Sequence, residues 1–265
     1  MMNEKMKTEF ITLDRYFSEH FYVSSKLPLS VFEFDENDKL LNLILDKKEK
    51  LFKDLNEIAL KVEQEENKEE LNKKFKSIHI PSELSYQLTS GGTDTENIFT
   101  NAHRFYNILS DKLFKNETVI KKFKSFLKES FIQYVNLFLP DTKIFYAKVW
   151  LNVLSKWDYL NTHSHDSINS PLHFCCHYDL SIPPPKTFTC YMPIYSDPVL
   201  QNEENIIGNI QKENVEGELL CFPHFLPHKT SPNKSDEPRL TFGMDIILTE
   251  EEYHNRKLTA IFEKL

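Results

Sequence analysis

Two short runs hold most of the side chains that could do chemistry. Six of the ten histidines fall between His163 and His228. The first run, Asn161-Thr162-His163-Ser164-His165-Asp166, sets two imidazoles two residues apart with a carboxylate beside them. On an extended segment residues i and i+2 face the same way, so His163 and His165 can reach one metal ion. The second run, Glu218 to His228, reads as a buried strand entering a turn bounded by Pro223 and Pro227, with His228 just beyond it. Two neighbouring ligands and one remote ligand make a facial set with open metal positions, which suits oxygen-activating Fe(II). His173 and His177 fall inside an expected strand, where a histidine is ordinarily a packing residue. His224 draws some interest from its closeness to His228.

Positioning these groups takes a scaffold, and the chain divides into two textures. Between about 38 and 137, apolar residues recur near the helical period. They run from Leu40 through Leu51 and Leu55 to Val62, then from Asn101 to Phe114, and again from Glu117 to Phe138 ahead of Pro140. Residues 85–100, with Gly91-Gly92 among Ser, Thr and Asp, read as a loop. After Pro140 the chain turns β-branched and aromatic. Strands are expected at Lys143–Leu154, Pro171–Tyr178, Thr187–Ile194, Glu218–Phe222 and Leu240–Leu248, separated by Pro, Asn, Ser and Asp clusters. Asp197–Asn214 reads as a polar lid or surface excursion, and Thr249–Leu265 as a closing helix with Thr249 as its N-cap. Helices first and strands afterwards imply an α+β fold, a β-sandwich or barrel carried on helices. The expected organisation is a mainly helical part over 1–140 packed on a β core over 141–265, integrated as one domain.

Composition narrows the function classes. The 21 Phe and 11 Tyr supply the aromatic load of a packed core, which a disordered chain lacks. A net charge of −8 and Lys runs interleaved with apolar residues argue against a nucleic-acid partner. Met1 to Glu9 is polar and charged, and no apolar run approaches the roughly 18 residues that span a bilayer, so the expectation is a cytoplasmic protein without a membrane segment. Cys175, Cys176, Cys190 and Cys221 form no C-x-x-C pair, and adjacent Cys175 and Cys176 would face opposite sides of a strand. All four are read as reduced core thiols.

The ordered set of motifs is more specific than any one of them. Trp150-Leu151-Asn152, then Asp158-Tyr159-Leu160-Asn161, then His163-x-His165 resembles the W-x-N…G-D-Y-N…H-x-H segment of a family of 2-oxoglutarate/Fe(II) oxygenases. Glu216-Gly217-Glu218-Leu219-Leu220-Cys221-Phe222-Pro223, followed by Leu226-Pro227-His228, is similar to that family's E-G-x-L-x-x-F-P-x-x-L-x-H block. Ser231-Pro232-Asn233 and Arg239-Leu240-Thr241 resemble its P-N…R-x-S ending. The resemblance covers about residues 145–248. It implies a double-stranded β-helix, a jelly-roll or cupin-like barrel supported by helices. It also implies Fe(II) and 2-oxoglutarate as cofactors, O2 as co-substrate, and hydroxylation of a small molecule or peptide with release of succinate and CO2. In that family an early H-x-(D/E) pair and a late His hold the iron, so the resemblance implies His163, His165 and His228 as the metal ligands, and the basic residue after the late His, here Arg239, takes the far carboxylate of 2-oxoglutarate. A guanidinium suits that carboxylate, and Thr241, two positions on along a strand, can add a hydroxyl. Asn152 is placed to line the same pocket, unless it is an ordinary strand amide. Trp150 and Trp157 read as core residues.

Three departures keep alternatives open. Trp157 stands where the segment usually has glycine, and Ser170-Pro171 replaces a Ser-Gly pair. The position two after His163 is His165 rather than an acid. Either the iron has three His ligands, or Asp166 takes the place of His165. In a third arrangement His165 is the first ligand, with Ser167 in the carboxylate slot, which leaves room for halide. Three histidines also suit a cupin-type dioxygenase that needs no 2-oxoglutarate, with Arg239 on a substrate carboxylate. A barrel kept for binding alone is the non-enzymatic reading.

Overall fold

The strands that follow Pro140 form, and the longest of the late ones alternates over most of its length. Along Arg239–Ile247 the odd positions Arg239, Thr241, Gly243 and Asp245 are polar or small, and the even positions Leu240, Phe242, Met244 and Ile246 are apolar. Period-2 alternation sends the two sets to opposite faces of a sheet, and here both faces are buried. The computed structural model describes residues 7–18, 21–63, 90–91, 106–143, 145–165, 174–191, 210–248 and 262–265. Their elements are β1 (Lys7–Ser18), β2 (Phe21–Glu33), α1 (Asn37–Glu63), β3 (Ser90–Gly91), α2 (Thr118–Val135), β4 (Tyr146–Leu154), β5 (Tyr159–Leu160), β6 (Phe174–Ser181), β7 (Phe188–Tyr191), β8 (Ile210–Glu213), β9 (Glu218–Pro223), β10 (His228–Thr230), β11 (Arg239–Ile247) and β12 (Glu263–Lys264).

The large sheet runs β1-β2-β9-β6-β11-β4-β12, and a three-stranded sheet runs β10-β7-β8. Every neighbouring pair in them is antiparallel. One face of the large sheet carries Val149, Leu151, Tyr178, Leu219, Phe242 and Met244 against α1 and α2. The burial of Ile120, Phe123, Leu127, Phe131 and Tyr134 at helical spacing explains why α2 seats there. Phe123 meets Tyr178 at 5.0 Å and Phe242 at 5.8 Å between ring centroids, which locks the helix on the sheet. The other face packs Leu29, Val31, Cys175, Leu220 and Phe222 against Tyr191 of the small sheet. Two antiparallel sheets closing on a shared interior give a jelly-roll-like arrangement, with the odd residues of β11 looking into it. The four cysteines are buried and free, and Cys175 and Cys176 do fall in different core clusters. No helix among the described residues is long and apolar enough to cross a membrane.

Several elements differ from the sequence expectation. The described part of Asn101–Phe114 folds as turns rather than helix. Its polar side chains bond strand backbone instead. Asn107 Nδ2 donates to Ala147 O at 2.8 Å, its Oδ1 accepts from Val149 N at 3.2 Å, and the Tyr106 hydroxyl accepts from Leu151 N at 2.8 Å. These bonds satisfy β4 and compete with helix formation. The end of the expected closing helix is strand β12, paired with β4 through Glu263↔Ala147 and Lys264↔Tyr146. Residues 249–261 lie outside the described set, as do 171–173 of the second expected strand and 192–194 of the third. Ile210–Glu213, inside the expected lid, is a strand on β7. Ser90–Gly91, inside an expected loop, pairs with β5. Strands β1 and β2, for which periodicity gave no sign, extend the large sheet through β2 and β9. Trp157 is not core: it is 59% exposed at φ +72°, the left-handed region that glycine favours, so the resembling segment's glycine has a backbone reason.

Candidate metal centre and anion pocket

Backbone pairing brings the two histidine runs together. Beyond β5 the chain crosses the start of β10. His163 N donates to His228 O at 3.0 Å and His228 N returns the bond to His163 O at 2.9 Å. Two residues on, His165 N donates to His224 O at 2.9 Å. His224 therefore serves through its carbonyl. One ligand atom from each of His163, His165 and His228 lies within 4.8 Å of the others.

Each imidazole has its Nδ1 engaged. His163 Nδ1 is 2.6 Å from Asn161 O, and His228 Nδ1 is 2.9 Å from Leu226 O. His165 Nδ1 is 2.6 Å from Asp245 Oδ1. Carbonyl and carboxylate oxygens accept, so Nδ1 donates and Nε2 keeps its lone pair. That is how metal-binding histidines are ordinarily held. Burial, with help from neighbouring His165, lowers His163 to about 4. Burial and the other two rings take His228 well below the ordinary histidine value. Both are thus neutral near pH 7, the form a cation requires. The donor set fits a transition metal.

Behind His165 lies an ion pair. Lys148 Nζ stands 2.6 Å from Asp245 Oδ2, with both side chains nearly buried. Burial opposes the Asp245 charge, but Lys148 and His165 outweigh it and hold the carboxyl far below the usual carboxylate range.

An anion pocket adjoins the histidines. Arg239, Thr241, Asn152, Trp150 and His177 line one cavity together with His163, His165 and His228. The Arg239 guanidinium is 1% exposed and has one anionic neighbour among the described residues, Asp179 Oδ1, at 3.5 Å from Nη2. Its Nε and Nη1 are buried without a hydrogen-bond partner among the described residues. Unpaired buried donors of this kind cost free energy unless a ligand accepts from them. Asp179 is held in turn by Asn214 Nδ2, 3.1 Å from Oδ2. Thr241 Oγ1 accepts from Asn152 Nδ2 at 3.2 Å, which leaves the threonine O–H free to donate. Asn152 Oδ1 accepts from Trp150 Nε1 at 3.1 Å, so Asn152 braces the pocket wall. The Nε2 of half-buried His177 is likewise buried without a hydrogen-bond partner among the described residues, 3.9 Å from Asp179 Oδ2, and burial followed by the charge of Arg239 lowers the ring to about 3.

All six residues that the sequence put forward as ligands or pocket residues thus meet in one cavity. Asp166 and Ser167, the alternatives to His165, lie outside the described residues. Sequence reasoning missed Asp245, Lys148, Asp179 and the part played by His177. The signal was there in β11: polar residues at every second position of a strand buried on both faces require partners.

No protein-family model matches the chain, and no curated protein matches it. Among solved structures, it is similar to a Pseudomonas putida prolyl-4-hydroxylase at 12% identity and a TM-score of 0.36, over 50% of this chain and 66% of that one. It is similar to an oxidoreductase of the 2OG-Fe(II) oxygenase family from Burkholderia pseudomallei at 11% identity and a TM-score of 0.38, over 49% and 58%. A third is the epimerase SnoN in complex with Fe3+, alpha ketoglutarate and nogalamycin RO, at 11% identity and a TM-score of 0.37, over 50% and 60%. The chain spans less than two thirds of each of these proteins. At such TM-scores function has to be read from the side chains.

Proposed function

We propose that the chain is an Fe(II)/2-oxoglutarate-dependent oxygenase on a double-stranded β-helix, hydroxylating a small molecule or peptide. One observation carries the reading: three Nδ1-anchored histidines converge in the cavity that also holds unpaired Arg239 donors. His163, His165 and His228 would hold the iron, and Arg239 with Thr241 would hold the far carboxylate of 2-oxoglutarate. Bound there, the two cofactors supply O2-driven hydroxylation of a C–H bond, with succinate and CO2 released. The chain's own work is to keep His163 and His228 neutral, to anchor all three rings through Nδ1, and to offer buried donors to a carboxylate in a cavity walled by Phe222 and Leu160. Asn152 keeps the Thr241 oxygen occupied and so aims its proton outward.

The test is anaerobic titration of metal-free protein with Fe(II) and then 2-oxoglutarate, followed by succinate measurement in air. A visible charge-transfer band that needs both additions, and is lost in His228→Ala and weakened in Arg239→Ala, supports the proposal. Iron uptake without the band would move the chain to the three-histidine dioxygenases that use no 2-oxoglutarate. No iron uptake would leave a barrel used for binding.

A further inference from the structure

We infer that Lys148 and Asp245 are a positioning pair that sets the tautomer of His165, and that this pair decides whether the centre can take a metal. The inference rests on the metal-centre reading above and concerns groups that touch no substrate.

The argument is one of hydrogen-bond direction. A lysine ammonium has three donors and no acceptor. Lys148 is fixed: its Nζ lies 5.0 Å from the Trp150 ring centroid and 5.7 Å from that of Phe262. It stands 2.6 Å from Asp245 Oδ2, so that oxygen accepts. The other oxygen, Oδ1, is 2.6 Å from His165 Nδ1. A carboxylate engaged by an ammonium has acceptors alone, so His165 Nδ1 must carry the hydrogen. In the neutral ring Nε2 then keeps the lone pair on the side of His163 and His228. The strand register makes this a fixed relay, because Asp245 and Lys148 are Cα partners across β11 and β4. His165 occupies the place where the family's iron-binding H-x-(D/E) pair has an acid, and Asp245 brings a carboxylate to it from behind.

Asp245→Asn gives a sharp outcome, because an amide has one accepting end and one donating end. Lys148 can be met by the amide oxygen alone. The amide NH2 then faces His165 Nδ1 and forces the hydrogen onto Nε2, where it blocks the metal. Removing the lysine as well frees the amide to turn round. Lys148→Met/Asp245→Asn should therefore restore what Asp245→Asn loses, which a merely structural role would not do.

The experiment reads Co(II) affinity by anaerobic calorimetry on the full chain, and the His165 tautomer by long-range 1H–15N correlation on the metal-free protein. Asp245→Asn should weaken Co(II) by about 10- to 100-fold, the usual scale for an outer partner of a ligand, and should show His165 with its hydrogen on Nε2. The double variant should recover most of the affinity and return the hydrogen to Nδ1. Wild-type affinity in Asp245→Asn, or a double variant as weak as the single one, would overturn the inference. If Asp245→Asn fails to fold, the double variant carries the test through its tautomer: Nδ1–H supports the inference and Nε2–H overturns it. Failure of 2-oxoglutarate turnover would leave these outcomes untouched, whereas a wild-type protein that takes up no Co(II) would overturn the metal centre and this inference together.

Discussion

Gly243 and Trp150 face each other across the β11–β4 pairing, and the indole fills the space a side chain at 243 would need. A Cβ built on Gly243 would stand 2.5 Å from Trp150 Cε2 and Cζ2. The ring has little room to retreat, since Trp150 is buried and its Nε1 is bonded to Asn152. Its other side approaches His165, at 6.2 Å between centroids. Gly243→Ala should thus cost about 1–3 kcal/mol of overpacking strain. Urea unfolding would measure it, and Trp150→Phe in the same background should recover part of the loss. A neutral Gly243→Ala would mean that the indole moves freely.

The strained turn after β4 gives the opposite sign. Trp157 takes φ +72° while most of its side chain lies in solvent. A left-handed backbone costs a bulky L-residue roughly 1–2 kcal/mol. Trp157→Gly removes that cost, offset in part by the greater chain entropy of glycine when unfolded. The expected result is a gain of about 0.5–1 kcal/mol, seen as a higher urea midpoint at unchanged slope.

These two positions show what could be read beforehand. Trp157 stood out as a departure from a glycine pattern, but its φ belongs to the turn that Asp158 N closes on Ser155 O, which the bond from Trp157 N to Asn233 O ties to a distant segment. Strand spacing put His163 with His165 and Thr241 with Arg239 on a shared side, whereas Arg239 itself was put forward by the resemblance. The Asn101–Phe114 segment was misread because its apolar spacing is helical, whereas Asn107 and Tyr106 spend their hydrogen bonds on β4. Asp245 was legible in type but not in role. A buried carboxylate demands a partner, yet nothing local says that the partners lie on β4 and in the loop after β5.

Acid should unfold the metal-free protein early. In the folded state His177 is lowered to about 3 and His163 to about 4, chiefly by burial, against an unfolded value near 6.5. Between those limits the unfolded chain binds more protons than the folded one, so stability falls as pH falls through the window. Asp245 adds to the loss below that range, since its folded value is depressed, and Asp179, whose value burial raises, opposes it. Urea midpoints should be level above about pH 7 and drop steadily from about pH 6 to 4. His177→Gln should flatten the drop in part. A profile level down to pH 4 would show that these rings are not buried neutral.

Arg239 serves two masters, and two substitutions separate them. Its one anionic neighbour in the described structure is Asp179, fully buried and 3.5 Å from Nη2. Arg239→Met leaves that carboxylate buried without a cation, a loss of about 3–5 kcal/mol in comparable cases. Adding Asp179→Asn removes the stranded charge, and the new amide can still accept from Asn214. The double variant should therefore fold close to wild-type stability and bind Co(II) as wild type does, because neither residue touches the three histidines through a hydrogen bond. Its 2-oxoglutarate affinity should nevertheless fall by at least about 100-fold, since a charge-assisted anchor is gone. Thermal melts give the first result and calorimetry with Co(II) and then 2-oxoglutarate gives the others. A stable double variant that binds 2-oxoglutarate normally would confine Arg239 to balancing Asp179, and the anchor for the co-substrate would have to be sought elsewhere in the cavity.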